Sequence, residues 1–237
     1  MPAVVRPLIS LFYPPLCAGC AVAVGEGEYL CVPCRASAQR IRPPFCERCS
    51  EPFSGAIDGP FTCANCAHRT LHFDNAVAVY RSRGIVRKLV HEFKYNRQRY
   101  LCHPLSDWLA ETLDDLRLRD RRFDFIVPVP LHPTRERERG FNQAQLLAEG
   151  LAARSHLPVR PALERIRYTT TQTQFDRHER MENLRDAFRL RKKEDVRDCR
   201  VLLIDDVLTT GSTLSECAHV LKKAGALTVH AATAARG

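Results

Sequence analysis

Two groups of residues in this chain have types and spacings that could do chemistry. The first is Val201-Leu202-Leu203-Ile204-Asp205-Asp206-Val207-Leu208-Thr209-Thr210-Gly211-Ser212-Thr213. Four apolar residues read as a buried strand, two adjacent carboxylates stand where it leaves a sheet, and a loop of small residues follows. Gly211 lets main-chain N–H groups approach an anion at the start of the next helix, and the hydroxyls of Thr209, Thr210, Ser212 and Thr213 add donors. A Walker-type loop needs Gly-Lys-Ser/Thr, which is absent, so a nucleoside triphosphatase is disfavoured. The plain alternatives are that Asp-Asp caps a turn and that the Thr/Ser run caps a helix.

The second group is cysteine. Eight of the 11 cysteines, Cys17, Cys20, Cys31, Cys34, Cys46, Cys49, Cys63 and Cys66, lie in the first 66 residues, all in CxxC pairs. The spacing C-x2-C-x10-C-x2-C followed by C-x2-C-x13-C-x2-C fits two structural zinc sites laid end to end, because each CxxC knuckle offers two thiolates and two knuckles close a tetrahedron. Spacing alone leaves sequential and cross-braced pairing open. A secreted disulfide framework would need a signal peptide, but the stretch from Pro7 to Leu16 has only Arg6 before it and is broken by Pro7, Pro14 and Pro15. The segment Leu16-Cys17-Ala18-Gly19-Cys20 mimics a lipoprotein cleavage box, yet Cys17 stands where an aliphatic residue belongs. Four CxxC motifs are too many for one thioredoxin-type redox centre. Cys102, Cys199 and Cys217 read as small core residues.

The elements that must position these groups follow from periodicity. Asn75 to Tyr80 reads as a strand. Ile85, Val86, Leu89, Val90 and Phe93 mark one helix, and Leu105, Leu109, Leu113 and Leu116 a second, both beside the cysteine segment. Phe125 to Val129 reads as a buried strand, Asn142 to about Arg154 as a helix, and Ala187 to Leu190 as a strand. Val201 to Ile204 is the strand before the acidic pair. A helix with a capping box at Thr213 and Glu216 stops at Gly225, and Leu227 to Thr233 is the closing strand. Residues 165–183 have no clear period. Strands alternating with helices predict a mostly parallel sheet covered on both faces, with ligands beyond the carboxyl ends of its strands. The length of 237 residues suits one domain with a small appendage, divided at residues 1–72 and 73–237, the latter with a helical front part at 81–122 and a core at 123–237. No apolar run reaches the ~18 residues of a membrane span, and the chain is expected to be cytoplasmic.

With those residues in view, the thirteen-residue segment resembles the phosphoribosyl-pyrophosphate (PRPP) motif of type I phosphoribosyltransferases. The likeness widens to Val127-Pro128-Val129-Pro130-Leu131-His132-Pro133, to Arg139-Gly140-Phe141-Asn142-Gln143, to Thr169, Gln172, Arg180, Asn183 and Phe188, and to the cysteine-rich front end. Together these resemble the ComF/GntX family over nearly the whole chain. The resemblance implies an α/β fold of the type I phosphoribosyltransferase class preceded by a double zinc ribbon. It implies that Asp205 and Asp206 face the ribose hydroxyls, that Thr209 to Thr213 wrap the 5′-phosphate, that Pro130, Leu131 and His132 form the pyrophosphate loop, and that residues 165–183 form a mobile hood. Mg²⁺ would accompany PRPP. Charge alone adds Arg137, Arg139, Arg177 and Arg180 as pyrophosphate candidates, while His132 reads as a structural donor in its turn before it reads as an acid.

The same resemblance links the chain to natural competence, the uptake of DNA, with single-stranded DNA and competence-machinery proteins as expected partners. The charge agrees: 36 Lys and Arg against 27 Asp and Glu give +9, and only six of the 36 are Lys. Arg81, Arg83, Arg87, Lys88, Lys94, Arg97 and Arg99, interleaved with Tyr80, Phe93, Tyr95 and Tyr100, could pair phosphate contacts with stacking platforms, or could be the solvated face of an amphipathic helix. A phosphoribosyltransferase with an unknown acceptor, a DNA-handling protein, and a protein whose ribbons only stabilise it or bind a partner all remain open at this level.

Overall fold

A computed structural model describes residues 14–57, 59–168 and 184–237. Thr169, Gln172, Arg177, Arg180 and Asn183, and with them most of the expected hood, lie outside the described residues. The cysteine segment contains two single-turn helices, α1 (Val32–Ala36) and α2 (Ala64–Ala67). After it come β1 (Ala76–Ala78), α3 (Gly84–Tyr95), α4 (Cys102–Ala110), β2 (Phe125–Pro128), α5 (Pro133–Arg139), α6 (Gln143–Ser155), β3 (Leu163–Arg165), β4 (Phe188–Leu190), β5 (Arg200–Leu208), α7 (Ser212–Lys223) and β6 (Thr228–Arg236). The main sheet runs β1-β6-β5-β2 with every pair parallel. A single parallel bridge from Ile126 to Val159 extends it beyond β2, and β3 pairs with β4 antiparallel as a separate ribbon.

Both faces of the sheet are covered, which is why its strands are apolar runs instead of alternating ones. Leu202 and Ile204 of β5, with Ile126 and Ala232, pack against Val86, Leu89 and Phe93 of α3, Leu105 and Leu109 of α4, Leu147 and Leu151 of α6, and Cys17. Val201 and Leu203, with Phe125, Val127, Val229 and Ala231, pack against Leu214, Cys217 and Leu221 of α7 and against Cys46, Cys49, Cys63 and Cys66. The two halves of the cysteine segment therefore lie on opposite faces of one sheet.

Several elements depart from the expectation, each for a local reason. The helix expected to run through Leu116 ends at Ala110, with a 3₁₀ turn over Glu111–Asp114, and Leu116 is 73% exposed. Thr112 Oγ1 donates to the Leu109 carbonyl at 2.6 Å, and the Asp115 carboxylate accepts from Arg117 N at 3.0 Å, so local side-chain bonds take over from the helical ladder. Helix α7 has no capping box. It starts at Ser212 after Gly211, whose position supplies no side-chain cap, Thr210 Oγ1 accepts only a long bond of 3.4 Å from Ser212 N, and Glu216 accepts from the backbone N–H of Asp186 at 3.0 Å. Strand β5 continues past Ile204 to Leu208, so the acidic pair lies within the strand, Asp205 opposite Thr233 of β6. Of the three scattered cysteines, Cys217 is buried and Cys102 and Cys199 are partly so. Among the described residues no helix is long and apolar enough to cross a membrane.

Candidate functional site

Chain connectivity makes a crevice at one end of the sheet. From β2 the chain passes through α5 and α6 to Val159 on the outer side of β2, whereas from β5 it passes through α7 to β6 on the other side. The loops leaving these two adjacent strands diverge, and a ligand site opens outside their carboxyl ends. On the β2 side of it lies a cavity of about 350 Å³ lined among others by Pro128, Pro130, Leu131, Glu164 and Arg165, whose lining does not include Asp205, Asp206 or residues 209–213.

On the β5 side, Gly211 has φ +77°, a conformation that L side chains rarely adopt, and a Cβ there would stand 3.4 Å from the Phe73 ring. That turn brings residues 209–213 across the start of α7, where the first-turn N–H groups and the helix dipole favour an anion. Thr210 and Ser212 exchange a hydroxyl hydrogen bond of 2.9 Å and Ser215 N donates to the Gly211 carbonyl at 2.8 Å, so the loop is held in one shape.

The two carboxylates are neighbours in sequence but not in surroundings. Successive residues of a strand point to opposite faces. Asp206 joins the α3 side, where Lys94 Nζ lies 2.9 Å from its Oδ1, and its side chain is only 4% exposed. The other oxygen, Oδ2, is buried and has no hydrogen-bond partner among the described residues. Burial would push the Lys94 ammonium down, but Asp206 and Asp205 hold it above its ordinary value. Asp205 takes the α7 side, where Arg165 and Cys217 are its electrostatic neighbours. Burial and the adjacent Asp206 push Asp205 up to about 7, although the Asp206 N–H donates to its Oδ1 at 2.8 Å.

On the β2 side, Pro130 and Leu131 line the cavity. His132 is the N-cap of α5, its Nδ1 accepting from Thr134 N at 3.3 Å, so it serves the turn as an acceptor where the sequence suggested a donor. Asn142 closes the loop by donating to the Val129 carbonyl at 3.1 Å and capping α6 through Ala144 N at 3.0 Å. Arg137 is exposed, and Arg139 lies over the Tyr95 ring at 5.6 Å.

The cysteines form two sets with their Sγ atoms all within 4.8 Å, Cys17, Cys20, Cys31 and Cys34 in one and Cys46, Cys49, Cys63 and Cys66 in the other. Pairing is sequential, not cross-braced. Separations of 3.6 Å for Cys20–Cys31 and for Cys49–Cys63 suit a Zn²⁺ with Zn–S of about 2.3 Å, for which tetrahedral geometry gives S–S of about 3.8 Å. Gly19 N and Cys31 N each donate to Cys17 Sγ at 3.3 Å, bonds that favour a thiolate. In the second set, hydrogen bonds from Cys49 and Cys66 pull Cys46 well below an ordinary thiol.

Sequence reasoning missed four contributors. Lys94 stands in the basic run that reads either as phosphate contacts or as a solvated face, yet it falls four residues after Val90 and eight after Val86, on the buried stripe of α3, and a charge on an apolar stripe is the signal that marks it. Arg165 was only a boundary of the hood. Asn65 is an intervening residue of the last CxxC pair and Arg69 belongs to no motif, so the place of both became visible only in the fold.

Comparison with known proteins agrees with this architecture. A double zinc ribbon domain model matches residues 8–70, and a phosphoribosyl transferase domain model matches residues 138–237. The class is therefore a double zinc ribbon joined to a phosphoribosyltransferase fold. The DNA utilization protein YhgH of Escherichia coli (strain K12) is 32% identical over 227 residues, covering 92% of this chain and 96% of that protein. Competence protein F of Haemophilus influenzae is 29% identical over 212 residues, covering 84% and 93%, and competence protein ComFC of Bacillus subtilis is 30% identical over 205 residues, covering 84% and 80%. The chain belongs to the family of these proteins, the ComF/GntX family. Among solved structures, the glutamine PRPP amidotransferase from B. subtilis shares 20% identity over 60% of this chain and 30% of that enzyme, with a TM-score of 0.38.

Proposed function

We propose that the crevice binds PRPP and that the protein works inside the cell in the handling of DNA taken up during competence. The observation that carries the ligand reading is the Gly211 turn into an uncapped α7, set beside Asp205 at the diverging ends of β2 and β5. Thr209, Thr210, Gly211, Ser212 and Thr213 would hold the 5′-phosphate, Asp205 and Asp206 would address the ribose hydroxyls, and Pro130, Leu131 and His132 would flank the pyrophosphate. Asp206 already has Lys94 as its cation, so Asp205 is the carboxylate left to assist a metal. That set fits Mg²⁺, which takes one or two carboxylates together with substrate phosphates. The metal would screen the pyrophosphate as it leaves. Transfer of the phosphoribosyl group to an acceptor would then rest on positioning and on charge at the anomeric carbon, with no protein nucleophile.

The test is a calorimetric titration of PRPP with Mg²⁺ against zinc-loaded wild type and Thr209→Asp. Thr209 is exposed, so the substitution is compatible with folding. Like charges brought together cost several kcal/mol, so affinity is expected to fall by about 100-fold or more. A folded, zinc-loaded wild type that takes up no PRPP would overturn the reading.

A second reading has its own observation. Tyr95 and Tyr100 are 63% and 45% exposed, and Arg83, Arg87, Arg97 and Arg99 are exposed on the same stretch of chain. Tyr100 stacks with Tyr29 of the first ribbon at 6.0 Å between ring centroids. We read this as a platform for single-stranded DNA, in keeping with the names of the relatives, with competence-machinery proteins as further partners. Tyr80 and Phe93 do not belong to it, since both are buried.

A further inference from the structure

The second cysteine cluster reaches into the crevice, and neither sequence nor family assigns it a task there. Its first knuckle is fastened to the edge of the sheet. Ala76 N donates to the Arg48 carbonyl at 2.8 Å, and Ser50 Oγ both donates to the Ala76 carbonyl and accepts from Ala78 N, each at 3.1 Å, so residues 48–50 run beside β1. Arg236, near the end of β6, donates to the Cys49 carbonyl at 3.2 Å and to the Leu208 carbonyl at 2.9 Å, tying the same knuckle to the end of β5.

The second knuckle grips residues 210–215. Asn65, between Cys63 and Cys66, donates through Nδ2 to the Thr210 carbonyl at 3.2 Å. Arg69 Nη1 donates to the same carbonyl at 3.1 Å and to Asn65 Oδ1 at 2.7 Å, while its Nη2 donates to Ser212 Oγ at 2.9 Å. His72 N donates to Ser215 Oγ at 3.1 Å, and Phe73 packs beneath Gly211. A carbonyl that accepts two bonds from one side is fixed in direction, and the peptide that follows it is fixed with it. The Gly211 N–H belongs to that peptide and opens the proposed anion subsite.

One knuckle thus stands on the sheet and the other on the loop, and they are joined by the four thiolates together with the bonds from the Glu47 N–H to the Phe61 carbonyl at 3.0 Å and from the Arg48 guanidinium to the Leu71 carbonyl at 2.6 Å. On the reading of 209–213 as the phosphate loop, on which this depends, we propose that Asn65 and Arg69 are positioning residues for that loop. The metal bound by Cys46, Cys49, Cys63 and Cys66 keeps them in place, so anion binding and occupancy of this zinc site are linked. Linkage is reciprocal: whatever the metal adds to ligand affinity, the ligand adds to metal affinity.

The test uses the full zinc-loaded chain, as wild type and as an Asn65→Ala, Arg69→Ala double variant. Neither side chain belongs to the core, so the variant is expected to fold and to keep both metals, checked by zinc stoichiometry. Amide exchange in 209–214 is expected to quicken by about tenfold or more while β5 and β6 keep their protection. PRPP affinity with Mg²⁺ is expected to weaken by about tenfold, within the usual range of coupling between sites. Arg69→Lys, which keeps the charge but loses the fork that spans Thr210 and Ser212, is expected to lie between wild type and the double variant. Unchanged loop exchange in the double variant with both metals bound overturns the proposal. Loop exchange needs no ligand, so it decides the positioning role even if PRPP fails to bind the wild type, an outcome that counts against the PRPP reading alone.

Discussion

At the scale of single residues, Lys94 and Asp206 set the character of the crevice. The pair is largely out of water, with side chains 21% and 4% exposed, so each charge depends on the other. Removing one partner of a buried pair costs about 3–5 kcal/mol, because the survivor is left uncompensated. Lys94→Met is therefore expected to lower the melting temperature by roughly 10 °C, at about 2–4 °C per kcal/mol for a chain of this size. Adding Asp206→Asn to Lys94→Met is expected to restore most of the loss, and melting curves showing additive damage would refute the coupling. Asp205 makes a different prediction, in pH. Its carboxyl is pushed up to about 7 by burial and by Asp206, so between the ordinary carboxylate range and pH 7 the folded protein holds a proton that the unfolded chain has released. Over that window stability falls as pH rises, and above it this contribution levels off. Asp205→Asn removes the ionisation, so its melting temperature relative to wild type is expected to climb from pH 5 to pH 8. A constant difference across that range would show that Asp205 ionises normally in the fold.

At the scale of elements, legibility followed period and length. Helices α3 and α6 and strands β2 and β5 were readable because several apolar residues recur in each, and the helix expected from Asn142 starts at Gln143 with Asn142 as its cap. Strand β3 spans three residues, Leu163–Arg165, too few to show a period, and it exists because β4 pairs with it from 25 residues away. The start of α7 misled for a chemical reason. Thr213 and Glu216 have the spacing of a capping box, but Gly211 turns the chain two residues earlier and Glu216 finds the Asp186 N–H, which leaves the helix start open for an anion. The acidic pair and the loop proposed to hold phosphate were legible because they lie together in thirteen residues. Lys94, Arg165, Asn65 and Arg69 come from elsewhere in the chain, from a helix, the β3–β4 ribbon and the second cysteine knuckle, and only the folded chain brings them together.

At the scale of the whole molecule, the cysteine segment acts as a clamp. Cys17 lies in the core on one face of the sheet and Cys46, Cys49, Cys63 and Cys66 in the core on the other, so both ribbons are built into the fold whose crevice they flank. The first ribbon lies along α3, where Lys88 Nζ donates to the Gly19 carbonyl at 2.5 Å, and its Tyr29 meets Tyr100 and His103 at centroid distances of 6.0 and 5.0 Å. On the proposed single-strand reading, arginines on the neighbouring surface and these rings would separate the two parts of binding, charge and stacking. Each neutralised phosphate contributes about −0.7 to the slope of log affinity against log salt, whereas stacking contributes affinity with little salt dependence. For a short oligo-dT, an Arg83→Ala, Arg87→Ala variant is expected to flatten the salt slope by about 1.4. Tyr100→Ala is expected to lose about 1–3 kcal/mol with the slope kept. Lys88 is held by Gly19, so Lys88→Ala is expected to change the slope less than either arginine does. If oligo-dT fails to bind the zinc-loaded chain at low salt, this surface is a solvated helix face.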